Sequence, residues 1–140
     1  MPLSLGETDY DVERTPGGRR LRVRRAINAP VDVVWDVLTD TQRWQAWGPS
    51  ITAVEAPERY ITAGSRGRVR VLGAVWLPFE VTTCENHRWT WTVARVPATG
   101  HFVETHPAGS VVGFELSPLA VGYIPVCRQA CSRIDELAAN

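Results

Sequence analysis

The stretch 27–47, Ile-Asn-Ala-Pro-Val-Asp-Val-Val-Trp-Asp-Val-Leu-Thr-Asp-Thr-Gln-Arg-Trp-Gln-Ala-Trp, constrains this chain more than any other segment. A strand runs into Asn28-Ala29, and Pro30 is expected at a first helical position, where its missing N–H leaves nothing unpaired. Val33, Val34, Val37 and Leu38 then recur at helical spacing, and Asp32 favours the dipole of the helix start. Asp40 is expected to cap a second short helix, which presents Trp44 and Trp47 before Gly48-Pro49 stops it. Two small helices therefore follow the first strand.

Around this segment the pattern changes to period two. Over 19–27, Leu21, Val23 and Ile27 point one way while Arg20, Arg22 and Arg24 point the other, as in a half-buried strand. Residues 1–18 lack apolar periodicity and read as a loosely held arm or a short edge element. Strands are expected at 51–54, 66–72, 75–85, 88–96, 100–106 and 110–116. The breaks Gly73-Ala74, Asn86-His87, Pro97-Ala98 and Pro107-Ala108-Gly109 read as hairpin turns, so neighbouring strands should be antiparallel. A long helix is expected over 118–137, capped by Ser117 and loosened early by Pro125. Its apolar face holds Leu119, Tyr123, Val126, Cys127, Ala130, Ile134 and Leu137. The expected class is α+β. One domain, 19–138, carries a curved antiparallel sheet of six to seven strands wrapped around the C-terminal helix.

Strand phase then sorts the side chains. One face collects Val69, Val71, Leu77, Phe79, Val81, Thr83, Trp89, Trp91, Val93, His101, Val103, Thr105, Val112, Phe114 and Leu116. The other collects Arg66, Arg68, Arg70, Glu80, Arg88, Thr90, Thr92, Glu104, His106 and Glu115, and reads as a solvated surface. One helix cannot fill the concavity of such a sheet. Either large side chains, drawn from six tryptophans among others, plug the remainder, or a ligand does. The candidate ligand-binding residues are Val71, Phe79, Trp89, Trp91, His101, Val103, Phe114, Tyr123 and Cys127. His101 is also the candidate catalytic residue, able to orient a ligand or move a proton; the alternative is a core histidine bonded to a carbonyl or a threonine. His101 and His106 point to opposite faces with no third ligand, so no metal is expected. Cys127 and Cys131 read as small core residues. Nucleophile-elbow, phosphate-loop and metal-helix motifs are absent from the sequence, and no cofactor is expected.

Composition narrows the partners. Fifteen basic residues balance fifteen acidic ones, which disfavours nucleic acid. The first residues lack a basic region followed by an apolar core, so no secretion signal is expected, and no apolar run approaches the roughly 18 residues of a membrane span. Three cysteines suit a reducing cytosol, so a cytoplasmic location is expected; the assembly stays open as monomer or homodimer.

The order strand, two short helices, six strands, long helix resembles the helix-grip fold of the START-like, or SRPBCC, superfamily, and most of all its polyketide cyclase/dehydrase-like branch. Ala29-Pro30, Val34-Trp35-Asp36-Val37-Leu38-Thr39-Asp40, Arg43-Trp44-x-x-Trp47-x-Pro49 and Gly64-Ser65-x-Gly67 carry the likeness, over roughly 19–138. The resemblance implies a deep cavity between sheet and helix and supplies no catalytic motif. The leading expectation is a module that binds a small hydrophobic ligand, aromatic, polyketide-like or lipid-like. The alternative is a polyketide cyclase or dehydratase using the same cavity. A third is a protein-binding adaptor with a plugged cavity and an apolar patch near Trp44 and Trp47.

Overall fold

Alternating sequence becomes an eight-stranded antiparallel sheet in the computed structural model, which describes residues 3–139. In chain order the strands are β1 (Thr8–Thr15), β2 (Gly18–Ile27), β3 (Ile51–Glu55), β4 (Arg66–Val71), β5 (Val75–Glu85), β6 (Arg88–Val93), β7 (Val96–His106) and β8 (Gly109–Leu116). Their spatial order is β1-β2-β8-β7-β6-β5-β4-β3, so the last strand pairs with the second, with Leu21 opposite Leu116. Helices α1 (Val31–Thr39) and α2 (Trp44–Trp47) fill the connection from β2 to β3, and α3 (Ile124–Ala138) closes the chain against β2, α1 and α2.

The eighth strand comes from the segment read as an arm or edge element. Thr8–Thr15 pairs residue for residue with β2, from Thr8 opposite Arg25 to Thr15 opposite Gly18. Leu3, from the same segment, is buried with Ala26 and Val111. Most of 3–18 is therefore part of the sheet rather than a loose arm.

Backbone geometry differs from the expected pattern at four places. The β6–β7 turn lies at Ala94-Arg95, both in the left-handed region at φ 51° and 66°, and Pro97-Ala98 lies inside β7. Two consecutive left-handed residues match the twist of a tight hairpin, which sequence reasoning assigns to Gly or Asn rather than Ala-Arg. A register shift between Val81 and Thr83 inserts one extra residue in β5. Alternation flips beyond it: Thr83 is exposed beside Thr90, and Cys84 packs on the core instead. Thr105 keeps its phase but lies past the core and is exposed. Finally, the expected 118–137 helix divides. Pro118–Tyr123 is a 3-10 segment broken at Ala120 (φ −99°, ψ 34°), and Pro125 sits in the first turn of α3, where it removes no helical bond.

The connection between the helices satisfies its own polar groups. Pro30 takes the N-cap position at ψ 157°, one residue earlier than expected. The last carbonyls of a helix have no partner within it. Here the Trp44 indole N–H donates to the Leu38 carbonyl (2.9 Å) and the Trp47 indole to that of Val37 (3.2 Å). Asp40, fully buried, accepts from the Gln42 N–H (3.0 Å), and the Arg59 guanidinium grips both its oxygens at 3.2 and 3.0 Å.

The convex face of the sheet is less solvated than alternation suggests. Glu115 is 2% exposed, held by Arg22 (Nη2 to Oε2, 2.8 Å) and Arg88 (Nη2 to Oε1, 2.7 Å). Beside it Phe102 lies over Gly113, under the Arg22 guanidinium at 4.2 Å, and any side chain at 113 would collide with that ring. Burial by itself would raise the Glu115 pKa. Hydrogen bonds and charge from the two arginines outweigh it and hold the carboxyl below the ordinary carboxylate range. A depressed carboxylate adds stability above its unfolded pKa and loses it as pH falls through the folded one. Glu115→Gln is therefore expected to cost about 2 kcal/mol or more at pH 7, because it leaves two arginines facing a neutral amide. In denaturant unfolding the gap between variant and wild type should shrink at pH 3; a constant gap would contradict this account.

Candidate functional site

The concave face of the sheet and α3 do not meet fully. Between them lies a cavity of about 430 Å³. Its sheet wall is Val69 and Val71 from β4, Trp89 and Trp91 from β6, Thr99 and His101 from β7, and Phe114 and Leu116 from β8. Trp44 and Trp47 from α2 form its inner end, and Val126, Cys127 and Ala130 of α3 its roof. The exposed lining residues Pro97, Ala98 and Tyr123, with the half-buried Pro49, Ser50, Ile51 and Ala120, mark the mouth.

Aromatic rings give the inner end its shape. Trp44 stacks on Trp89 with centroids 5.2 Å apart and planes 6° apart. His101 stacks on Trp89 at 3.7 Å and 14°. Trp91 stands edge-on to Trp44, Trp89 and His101, and Phe114 edge-on to Trp47 and His101. Edge-to-face and offset-stacked pairs at such distances add about 0.5–1.5 kcal/mol each beyond their buried area.

Three polar side chains of this wall are bonded to one another. His101 Nδ1 lies 3.3 Å from the Trp89 carbonyl, which can only accept, so Nδ1 carries the proton and Nε2 is the bare nitrogen. The Thr99 hydroxyl, 2.9 Å from Nε2, must then donate to it. The same hydroxyl accepts from the Trp91 indole at 3.3 Å. A one-way chain results: Trp91 to Thr99 to His101 to the backbone of Trp89. Burial drives the His101 pKa from its usual value down to about 3, against the opposing pull of its bond to the Trp89 carbonyl. The ring is neutral and both nitrogens are engaged. Trp89 Nε1 is the one buried side-chain polar atom without a partner among the described residues.

Seven of the nine residues expected at the ligand site line this cavity: Val71, Trp89, Trp91, His101, Phe114, Tyr123 and Cys127. Phe79 and Val103 do not. Phe79 is buried behind the wall, tilted against Trp44 and Trp91, and Val103 is core further along β7. Tyr123 is a rim residue, 39% exposed, its hydroxyl 3.0 Å from that of Ser50. Cys127 is a wall residue whose thiol burial pushes up to about 12, and burial pushes Cys131 up as well, so neither is a nucleophile near neutral pH.

Sequence reasoning missed Trp44, Trp47 and Thr99. Thr99 was hidden by placing a turn at Pro97-Ala98. Its strand carries an irregularity opposite Trp91, where Ala98 and Thr99 face one residue of β6. Trp44 and Trp47 are 0% and 4% exposed, so they form no surface patch of the kind the adaptor alternative placed near them. Among the described residues no group of His, Cys, Asp and Glu is placed to hold a metal ion, and no helix is long and apolar enough to cross a membrane.

A curved antiparallel sheet gripping a terminal helix defines the helix-grip fold. The chain belongs to the polyketide cyclase / dehydrase and lipid transport family, whose model matches residues 7–119. No curated protein matches it. Among solved structures it is similar to protein MLL2253 from Mesorhizobium loti, with a TM-score of 0.69 and 18% identity over 86% of this chain and 97% of that one. CalU16 from Micromonospora echinospora aligns at a TM-score of 0.53 and 18% identity, covering 95% of this chain and 90% of that one. DynU16, from the dynemicin biosynthetic locus, aligns at 0.61 and 19% identity, covering 85% of this chain and 46% of its own. At these identities the likeness is one of fold.

The His101 geometry makes a prediction with a definite sign. A histidine held neutral down to about pH 3, but protonated near pH 6.5 once unfolded, contributes to the loss of stability as pH falls between those values. Nitrogen-15 NMR should show His101 as the neutral Nδ1–H tautomer at pH 5. Titration near pH 6.5 in the folded protein would contradict the chain of bonds. Thr99→Val, which cuts that chain, should cost about 1–2 kcal/mol.

Proposed function

We propose that the protein binds a small, largely apolar ligand, aromatic, polyketide-like or lipid-like, in the cavity between sheet and α3. The observation that carries this reading is a hollow of about 430 Å³ bounded chiefly by indole, phenyl and aliphatic walls, in which the Trp91 indole, Thr99 and His101 are already bonded to one another. That volume falls within the ordinary range for small-molecule sites. A ligand of this kind would gain affinity from apolar contact and ring stacking, at about 25 cal/mol for each Å² of apolar surface removed from water. Membership of the family agrees with a hydrophobic cargo. The likeness in fold to DynU16, a protein of a biosynthetic locus, makes a biosynthetic intermediate a natural class to test first.

Binding is favoured over turnover by the state of His101. A general base needs a free nitrogen within reach of substrate and a pKa near the working pH. His101 has Nε2 occupied by Thr99 and a pKa of about 3. Arg20 is the one charged side chain among the lining residues. A cyclase using this cavity would have to act without His101 as its general base. The free cysteines, Cys84, Cys127 and Cys131, fit a reducing cytoplasm.

The test is titration of intrinsic tryptophan fluorescence with a lipophilic panel of naphthols, anthraquinones and fatty acids. Binding should quench or shift the emission, since four tryptophans line the cavity. Val126→Trp places a large side chain in the hollow from a partly exposed helix position, and should weaken binding at least about tenfold while leaving the melting temperature within a few degrees. A panel without a single binder would overturn the proposal.

A further inference from the structure

The four most exposed large apolar side chains of the described molecule are Leu119 (96%), Leu72 (85%), Val96 (63%) and Val121 (58%). All four sit beside the cavity mouth. Leu72 follows the wall residue Val71, Val96 precedes Pro97, and Leu119 and Val121 flank Ala120. Single exposed apolar residues are ordinary, but their concentration around one opening calls for an explanation.

One of these positions also runs against local preference. Leu72 has φ 54° at the tip of the β4–β5 hairpin, in a left-handed conformation that costs a bulky residue energy and that Gly or Asn adopts freely. Neither burial nor backbone geometry explains a leucine there. Val96 follows the left-handed pair Ala94-Arg95 at the neighbouring hairpin. Leu119 and Val121 project from the broken 3-10 segment, where helix packing places nothing over them.

The charge around the rim is one-sided. The bordering segments 48–51, 71–75, 93–98 and 117–123 contain no acidic residue and one basic residue, Arg95. Arg95 is exposed, with no ion-pair partner among the described residues. Apolar tips on separate turns, with a cation between them and no carboxylate, suit the headgroup boundary of a bilayer. A rigid protein surface would more naturally meet a continuous apolar face.

We infer that the cavity mouth docks on a lipid bilayer, with Leu72, Val96, Leu119 and Val121 entering the interface and Arg95 favouring anionic headgroups. The inference rests on the proposed apolar cargo: a mouth seated in lipid lets such a molecule pass into the hollow without crossing water.

The experiment is sedimentation of the full chain with vesicles of phosphatidylcholine alone and of phosphatidylcholine mixed with phosphatidylglycerol. Wild type should bind the mixed vesicles more tightly, and the preference should fall with added salt. Leu119→Gln and Leu72→Gly should each weaken binding about tenfold or more, the loss expected when one leucine leaves an apolar phase. Leu72→Gly carries a second readout, since it relieves the left-handed strain and should melt at the same or a higher temperature. Reduced vesicle binding in a protein of equal or greater stability cannot come from misfolding. Absence of wild-type binding to either vesicle would overturn the inference, as would variants that bind like wild type. So would concentration-dependent dimerisation by light scattering that Leu119→Gln abolishes, which would make a second copy the occupant. Naphthol binding in the same samples separates the two proposals: naphthol binding without vesicle binding removes only the docking surface, and vesicle binding without any cargo removes only the cavity reading.

Discussion

Trp44 joins the helical layer to the sheet, and the shape of the interior depends on it. Its ring lies parallel to Trp89 at 5.2 Å, while its N–H takes up the Leu38 carbonyl at the end of α1. One side chain thus closes a helix terminus, fixes the short α2 and meets the centre of the sheet. Trp47 does the same one turn on, bonding Val37 and meeting Phe114 edge-on. A helix of four residues has almost no stability of its own, so these contacts hold it. With α2 fixed, its indoles close the inner end of the hollow, and α3 roofs it.

The interior is polar in a particular way. Trp91, Thr99 and His101 bond in a chain that ends on the backbone of β6, leaving little hydrogen-bonding capacity toward the cavity. Buried polar networks stabilise when every member is satisfied, and this one is nearly so. The inner end of the hollow therefore presents shape and apolar area more than polar pattern. The charge kept away from the hollow is spent on the convex side, where Arg22 and Arg88 enclose Glu115, and at the loop where Arg59 meets Asp40.

Much of this was legible from the chain. Period-two alternation identified the seven strands from β2 to β8, because one buried face forces apolar residues onto every second position. The Pro30, Asp40 and Gly48 punctuation located both short helices. Misreadings fell where the period was interrupted. The extra residue near Thr82 in β5 reversed Thr83 and Cys84, and the irregularity in β7 concealed Thr99. Bulges leave no mark in composition, since they are decided by how two strands fit. β1 was uncertain because an edge strand exposed on much of its surface carries a weak apolar signal.

The amino-acid sequence by itself determined the class of fold, the antiparallel sheet with its terminal helix, and most of the side chains that turn inward. These follow from local periodicity and capping, which each segment carries within itself. Only the tertiary structure decided that Trp44 and Trp47 are walls rather than surface, that Glu115 is buried on the convex face, and that His101 is a saturated neutral ring. Each of those outcomes depends on residues far apart in the chain arriving at one place: Leu38 beneath Trp44, Arg22 and Arg88 around Glu115, Thr99 and Trp89 on either side of His101. Packing between distant elements sets burial and bonding, and no local pattern encodes it.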